Sequence, residues 1–367
     1  MSLAVALLWA SPATSNTTTL LTKPDQRFLF VQSNVAGGYD QGEPDDGYGL
    51  ADRGPRTQVT FEWLVKDEAR IQRGYTRLLA PSAWNLKFGF ELDPAEASDV
   101  DPALHFRLFD VWVQLGTKWD RTSLRVGHRS LPYGSNPRLD PEFDFLPNQA
   151  SLDLGISRDT GVFFSTPVSP SWDLRVSATM GGFLSGPLAS IRDLGGESET
   201  EGNIDYRGTW LGVVDFSTPN FRNNDVGFFA AVGKMHRAEG ALTEIARLGG
   251  YWVHKHRERW KTVHQLSVGR NDSDALGERD GLDVLNNVEF VRAPRWSVGL
   301  SQTFRLEDLD DRTLEDRRLG TVLSSLSYRL THQMRVRLNA YVEYEDSVGE
   351  REHGVLLQIC TGCGLRK

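Results

Sequence analysis

From Ser171 to Met180 the chain reads Ser-Trp-Asp-Leu-Arg-Val-Ser-Ala-Thr-Met, apolar at every even position and polar at every odd one. A strand sends successive side chains to opposite faces, so such alternation gives it one face for an apolar medium and one for water. The pattern returns in Trp84, Leu86, Phe88, Phe90 and Leu92, in Trp296, Val298, Leu300, Phe304 and Leu306, and in Met334, Val336, Leu338, Ala340, Val342 and Tyr344. No period of 3.6 residues fits these stretches. The expected fold class is therefore all-β.

Turn signals divide the chain into sixteen expected strands. They lie near 57–65, 70–79, 83–93, 104–118, 122–130, 158–168, 171–182, 208–218, 225–236, 244–256, 260–270, 282–293, 295–307, 317–330, 333–346 and 353–362. Several exceed ten residues, longer than the usual strand of a water-soluble sheet. Very short connections, at Pro81, Ser169-Pro170, Pro294 and Thr331-His332, alternate with longer ones such as 94–103, 131–157, 183–207 and 271–281. Short turns on one side and long loops on the other are the arrangement of a transmembrane antiparallel β-barrel. An even strand count puts both termini at the short-turn, periplasmic side.

Composition agrees with a strand-built membrane wall. The mean hydropathy is −0.39, and no run of apolar residues is long enough for a membrane helix. Half of each barrel strand faces water, so such walls are polar on average. Ten Trp and 35 Gly suit interfacial belts and closely packed strands. A net charge of −8 argues against nucleic acid as a partner. Residues 1–15 have the short apolar stretch and small-residue end of a secretory signal; 16–56 read as an extension or plug, 57–363 as the barrel and 364–367 as a tail.

The polar face of the alternation carries Lys87, Glu91, Arg125, Arg129, Arg175, Arg305, Arg329, Arg335, Arg337 and Glu343, the expected pore lining. The longest link, 131–157, holds Arg138, Asp140, Glu142, Asp144 and Asp153 among four prolines. Folded into the barrel, it would narrow and charge the lumen; the alternative is a solvated external loop. Cys360 and Cys363 are the two cysteines, for which a disulfide, a redox pair or free thiols are open. His254, His256 and His264 flank a turn at 257–259 that sets Trp252 opposite His264, and an interfacial belt is expected there rather than a metal site. No cofactor and no catalytic motif are expected.

Leu124-Arg125-Val126-Gly127-His128, followed by Leu131-Pro132-Tyr133-Gly134 and Arg158-Asp159-Thr160-Gly161-Val162, resembles the phosphate-selective porin O and P family. The resemblance implies a sixteen-stranded, trimeric outer-membrane channel with an infolded loop carrying cations. Here that link is acidic, and the chain ends Cys360 to Lys367 rather than on the aromatic residue usual in the family. The expected function is passive diffusion of small polar or charged solutes, including anions, through a barrel embedded in outer-membrane lipid. The alternative is a structural barrel that holds a periplasmic or outer-membrane partner protein.

Overall fold

The computed structural model describes 25–41, 56–67, 81–93, 103–115, 122–135, 154, 156, 158–181, 209–218, 224–236, 242–256, 259–273, 277–293, 295–309, 317–331, 334–345 and 350–361. Sixteen strands run in order: β1 (Asp25–Gln41), β2 (Arg56–Asp67), β3 (Pro81–Asp93), β4 (Ala103–Leu115), β5 (Ser123–Ser130), β6 (Arg158–Ser169), β7 (Trp172–Thr179) and β8 (Trp210–Ser217). The second half comprises β9 (Asn224–His236), β10 (Leu242–His256), β11 (Trp260–Ser273), β12 (Gly277–Ala293), β13 (Trp296–Leu309), β14 (Arg317–Thr331), β15 (Met334–Glu345) and β16 (Glu350–Thr361). Each pairs antiparallel with its chain neighbours, and β1 pairs with β16, so the sheet closes into a barrel without edges.

Closure corrects two expectations. Asp25–Gln41 was placed in an extension or plug, yet it is a wall strand, bonded to β2 through Asp25–Ala36 and to β16 through Ser33–Gln41. Its double set of backbone partners, rather than any regular alternation of its side chains, makes it part of the wall. The strand expected over 70–79 is not in the ladder between its neighbours, since β2 pairs directly with β3 from Thr57↔Leu92 to Lys66↔Ala83. Residues 70–79 lie outside the described ones, as do the expected signal segment 1–15 and the tail 364–367. Among the described residues the count is again sixteen, with a different membership.

The link expected over 271–281 shrinks to 274–276, because the β11–β12 ladder continues to Ser273↔Gly277. Asn271, Asp272 and Asp280 have loop-like chemistry but belong to a polar extension of the hairpin. The turns 170–171, 257–259, 294–295 and 332–333 share one end of the barrel, together with the starts of β1 and the end of β16. Links 131–157 and 180–209 are at the other end.

The two faces of the wall differ as the alternation requires. Large apolar residues stay exposed on the outside, among them Phe228 (58%) and Leu248 (61%), in a band that includes Val126, Val162, Val232, Leu300, Val322, Leu338 and Leu357. So much exposed apolar surface needs an apolar medium. Near the short-turn end the outside is aromatic: Trp172 stacks on Phe216 at 4.5 Å, Trp260 meets Phe290 at 4.4 Å and Trp296 meets Tyr328 at 4.5 Å. Trp252 lies 5.6 Å from His254 and from His264 and donates to Asn224, so the histidines join this belt. At the other end, Lys234–Glu244 and Arg270–Asp280 ion pairs bound the apolar band.

Candidate functional site: the barrel interior

The inward face is chemically mixed. On β8–β12 it carries Leu211, Val213, Phe229, Met235, Ile245, Val253, Val263 and Leu285, all buried. These would make a poor wet surface, and what covers them includes the start of link 131–157. Leu131 and Tyr133 are wholly buried, as is Leu154 at the far end of the link, with Ile156 beside them in the same apolar cluster. The Tyr133 ring meets the Phe229 ring of β9 edge-on at 4.5 Å. Ser135 donates its backbone N–H and its hydroxyl to Gln265 Oε1 of β11 at 2.8 and 2.9 Å.

The link therefore leaves β5 and crosses to β9–β11, four to six strands around the wall, or roughly 20–30 Å of circumference at about 4.8 Å per strand. Burying each apolar side chain contributes about 1.5–3 kcal/mol, against about 1–2 kcal/mol of backbone ordering per residue. Gly134 makes the crossing turn: its φ of +55° is left-handed, and a Cβ there would stand 2.3 Å from Gln265 Oε1. Of the two readings of this link, its described ends take the infolded one. Arg138, Asp140, Glu142, Asp144 and Asp153 lie outside the described residues.

On β4–β8 the interior is charged. Arg125 bonds Gln114 at 2.8 Å and lies 4.7 Å above the Trp112 ring; Arg129 lies 5.3 Å from the Phe163 ring. The charges of Arg129, Arg175 and Asp110 all act on Arg125, and this quarter of the wall also holds the buried carboxylates of Asp159, opposite Arg129, and Asp215. Arg175 reaches Asp215 at 3.6 Å, and Asp215 accepts from Tyr251 at 3.0 Å and from Ser217 at 2.9 Å. Asp215 is fully buried, a cost that is met by these charged and hydrogen-bonding partners.

Of the other expected lining residues, Arg305 is buried and donates to Asp283 at 2.5 Å, and Arg337 is buried on β15. Arg329 and Arg335 stand opposite each other at the short-turn end. Lys87 is in register with Asp110 and Glu62, Glu91 with His105, and Glu343 with Thr321 and Glu352. Cys360 pairs through its backbone with Asn34 and Arg335, whereas Cys363 is outside the described residues. Among the described residues no three potential ligands gather around a metal position.

Asp215, Asp283, Tyr251, Gln265 and Arg247 were missed by sequence reasoning. Arg247 is buried, with Nε and Nη1 lacking hydrogen-bond partners among the described residues. A signal existed in β8 and β9: Leu211 to Val214 and Val226 to Val232 are apolar on both faces, which marks walls covered from inside as well as outside.

No family model and no curated protein matches the chain. Solved structures do. OmpT of Vibrio cholerae, in its in-vitro folded trimer form, superposes with a TM-score of 0.60 at 8% identity, covering 92% of this chain and 99% of that one. An anion-selective porin from Comamonas acidovorans gives 0.61 at 12%, covering 92% and 99%. The outer membrane channel DcaP of Acinetobacter baumannii gives 0.56 at 10%, covering 93% and 98%. At these identities the likeness is one of fold: the chain has the barrel shared by outer-membrane porins and channels.

Proposed function

We propose that this chain is a bacterial outer-membrane porin, a passive channel for small polar or charged solutes. The observation that carries the reading is a closed barrel, apolar outside and charged on the inner face of β4–β8, whose interior is crossed by Leu131–Ser135. A bilayer satisfies the outer face, the short-turn end faces the periplasm, and the infolded link narrows the path. Arg125, Arg129 and Arg175 then supply the field that sorts solutes by charge. Lys87, Glu91, Arg305, Arg329, Arg335, Arg337 and Glu343 line the rest of the path, with Arg138, Asp140, Glu142, Asp144 and Asp153 at the narrowing.

Anions are the favoured solute class. The arginine triad supports this, as do the name of the Comamonas neighbour and the likeness of 124–134 and 158–162 to the phosphate-selective family. A homotrimer is proposed on the precedent of the trimer form of the Vibrio protein. The test is single-channel recording of refolded protein in a planar bilayer. Ohmic steps with an anion-directed reversal potential across a salt gradient are expected; cation preference would overturn the solute class.

A second reading has one observation behind it. The inner faces of β8–β12 are so fully covered that a closed barrel serving as a scaffold for a partner protein also fits. Folded protein that inserts but never conducts would favour it.

A further inference from the structure

Arg247 stands apart from the arginine quarter of β4–β8. On β10 it shares the inward parity of buried Ile245 and Val253 and is itself only 5% exposed. Among the described residues its Nε and Nη1 have no hydrogen-bond partner and its guanidinium has no ion pair. The ladder sets Ala231, Arg247, Gly269 and Gly281 in one row across β9–β12. Three small residues leave that row of the inner wall nearly bare, and the Arg247 side chain lies along it: a Cβ on Gly281, two strands away, would meet Arg247 Nη2 at 3.5 Å. The four residues and their chain neighbours border a cavity of about 560 Å³, within the size range of small-molecule sites.

The next inward position on β11 after Gly269 is Asn271, which is 3% exposed and whose Oδ1 also has no partner among the described residues. It stands opposite Ile245 and so diagonal to Arg247, within reach of so long a side chain. Buried polar groups in native proteins are hydrogen-bonded, and buried charges are paired. Two donors and one acceptor therefore call for a molecule that offers the complementary set. The Nε–H and the Nη1 hydrogens leave the planar guanidinium from different edges, so one carboxylate does not take both. A hydroxyl oxygen beside the carboxylate supplies the second acceptor, and a hydroxyl hydrogen satisfies Asn271 Oδ1. An amino-acid zwitterion has no net charge to neutralise Arg247, and a single cation matches a single negative charge.

We propose that the trough around Arg247 on β9–β12 is a binding subsite for hydroxylated monocarboxylates of sugar-acid size, with Arg247 holding the carboxylate and Asn271 accepting from a hydroxyl. Gly269 and Gly281 let the solute lie against the bare backbone of the wall. The subsite deepens the channel reading by naming a solute class, and it rests on that reading for conduction alone. Binding by folded protein does not require an open path through the bilayer.

Gluconate is the probe, titrated by calorimetry into folded protein in detergent at low salt, where saturable binding is expected. Hexanoate, a monoanion with as many carbons and no hydroxyls, is expected to bind at least about fivefold more weakly. Sorbitol, which keeps hydroxyls and lacks the carboxylate, is expected to bind at least about thirtyfold more weakly, as is gluconate to Arg247→Gln. Gly281→Val fills the trough without changing a charge and is expected to lose gluconate as well; its Cβ meets nothing closer than 3.5 Å, so the wall accepts it. No saturable binding, hexanoate or inorganic phosphate bound as tightly as gluconate, or binding kept in either variant overturns the proposal. Because Arg247 has no partner to lose, Arg247→Gln is expected to melt at or above the wild-type temperature without ligand, and a clear fall would overturn the subsite by revealing a structural role. In a planar bilayer gluconate is expected to interrupt wild-type current more than current through Arg247→Gln, and equal interruption would overturn the subsite. A barrel that binds gluconate and never conducts would sink the channel reading and keep the subsite.

Discussion

Ser135 gives both of its hydrogen-bond donors, the backbone N–H and the hydroxyl, to a single acceptor, Gln265 Oε1, which projects from a strand six places away around the barrel. The contact is buried, so losing it leaves the two donors unsatisfied at about 1–3 kcal/mol. Gln265→Leu is expected to free the start of link 131–157 and raise single-channel conductance, with lower thermal stability of the folded band. Unchanged conductance with the stability loss intact would show that this part of the link does not narrow the path.

Gly134 supports the same crossing by another route. Alanine there meets a left-handed φ of +55° and a Cβ position 2.3 Å from Gln265 Oε1, so strain of about 1–2 kcal/mol is expected along with displacement of the Ser135 clamp. At Gly212 a Cβ would find its nearest neighbour at 3.7 Å, and Gly212→Ala is expected to be close to neutral. Parallel thermal melts of the two variants test the contrast; equal effects would deny the turn its role.

Much of the wall was legible because lipid-facing and inward positions must alternate, and β7, β13 and β15 alternate cleanly. Alternation is silent on which strands pair. Asp25–Gln41, with its Gly37-Gly38 and an adjacent Ser33-Asn34, has little periodicity, yet backbone bonds to β2 and β16 make it the closing strand. Charged interior residues were found where they interrupt an apolar pattern, as Arg125 and Arg175 do. Asp215 and Gln265 were not, since their importance lies in partners on other strands: Asp215 is defined by Arg175 and Tyr251, and Gln265 by a link that arrives from β5. The Tyr251 ring also fills the space over Gly227 opposite it, a cross-strand fit that neither residue announces alone.

The membrane reading makes a prediction about the outer face. Leu248 is exposed at 61% in the apolar band, and an arginine on a lipid-facing strand near the bilayer midplane costs about 2–4 kcal/mol. Leu248→Arg is expected to fold poorly into lipid vesicles. Glu244→Arg, on the same face of β10 but within the charged border, is expected to fold with little loss. Equal folding yields would place Leu248 in water.

Asp215 sets the charge balance of the arginine quarter. It is fully buried, accepts hydrogen bonds from Tyr251 and Ser217, and offsets Arg175. Asp215→Asn keeps the shape and much of the hydrogen bonding but removes the negative charge, leaving Arg125, Arg129 and Arg175 less compensated. Breaking a buried pair by removing one partner costs about 3–5 kcal/mol when the other charge stays buried. Arg175 retains some exposure, its side chain being 25% accessible, so the loss is expected at or below the lower end of that range. The reversal potential across a salt gradient should move toward anions in Asp215→Asn. Tyr251→Phe, which removes one donor and no charge, should leave the reversal potential in place and cost about 1 kcal/mol of stability. A shift in the tyrosine variant as large as that in the aspartate variant would locate the effect in altered packing around Phe229 and Gly227 rather than in charge.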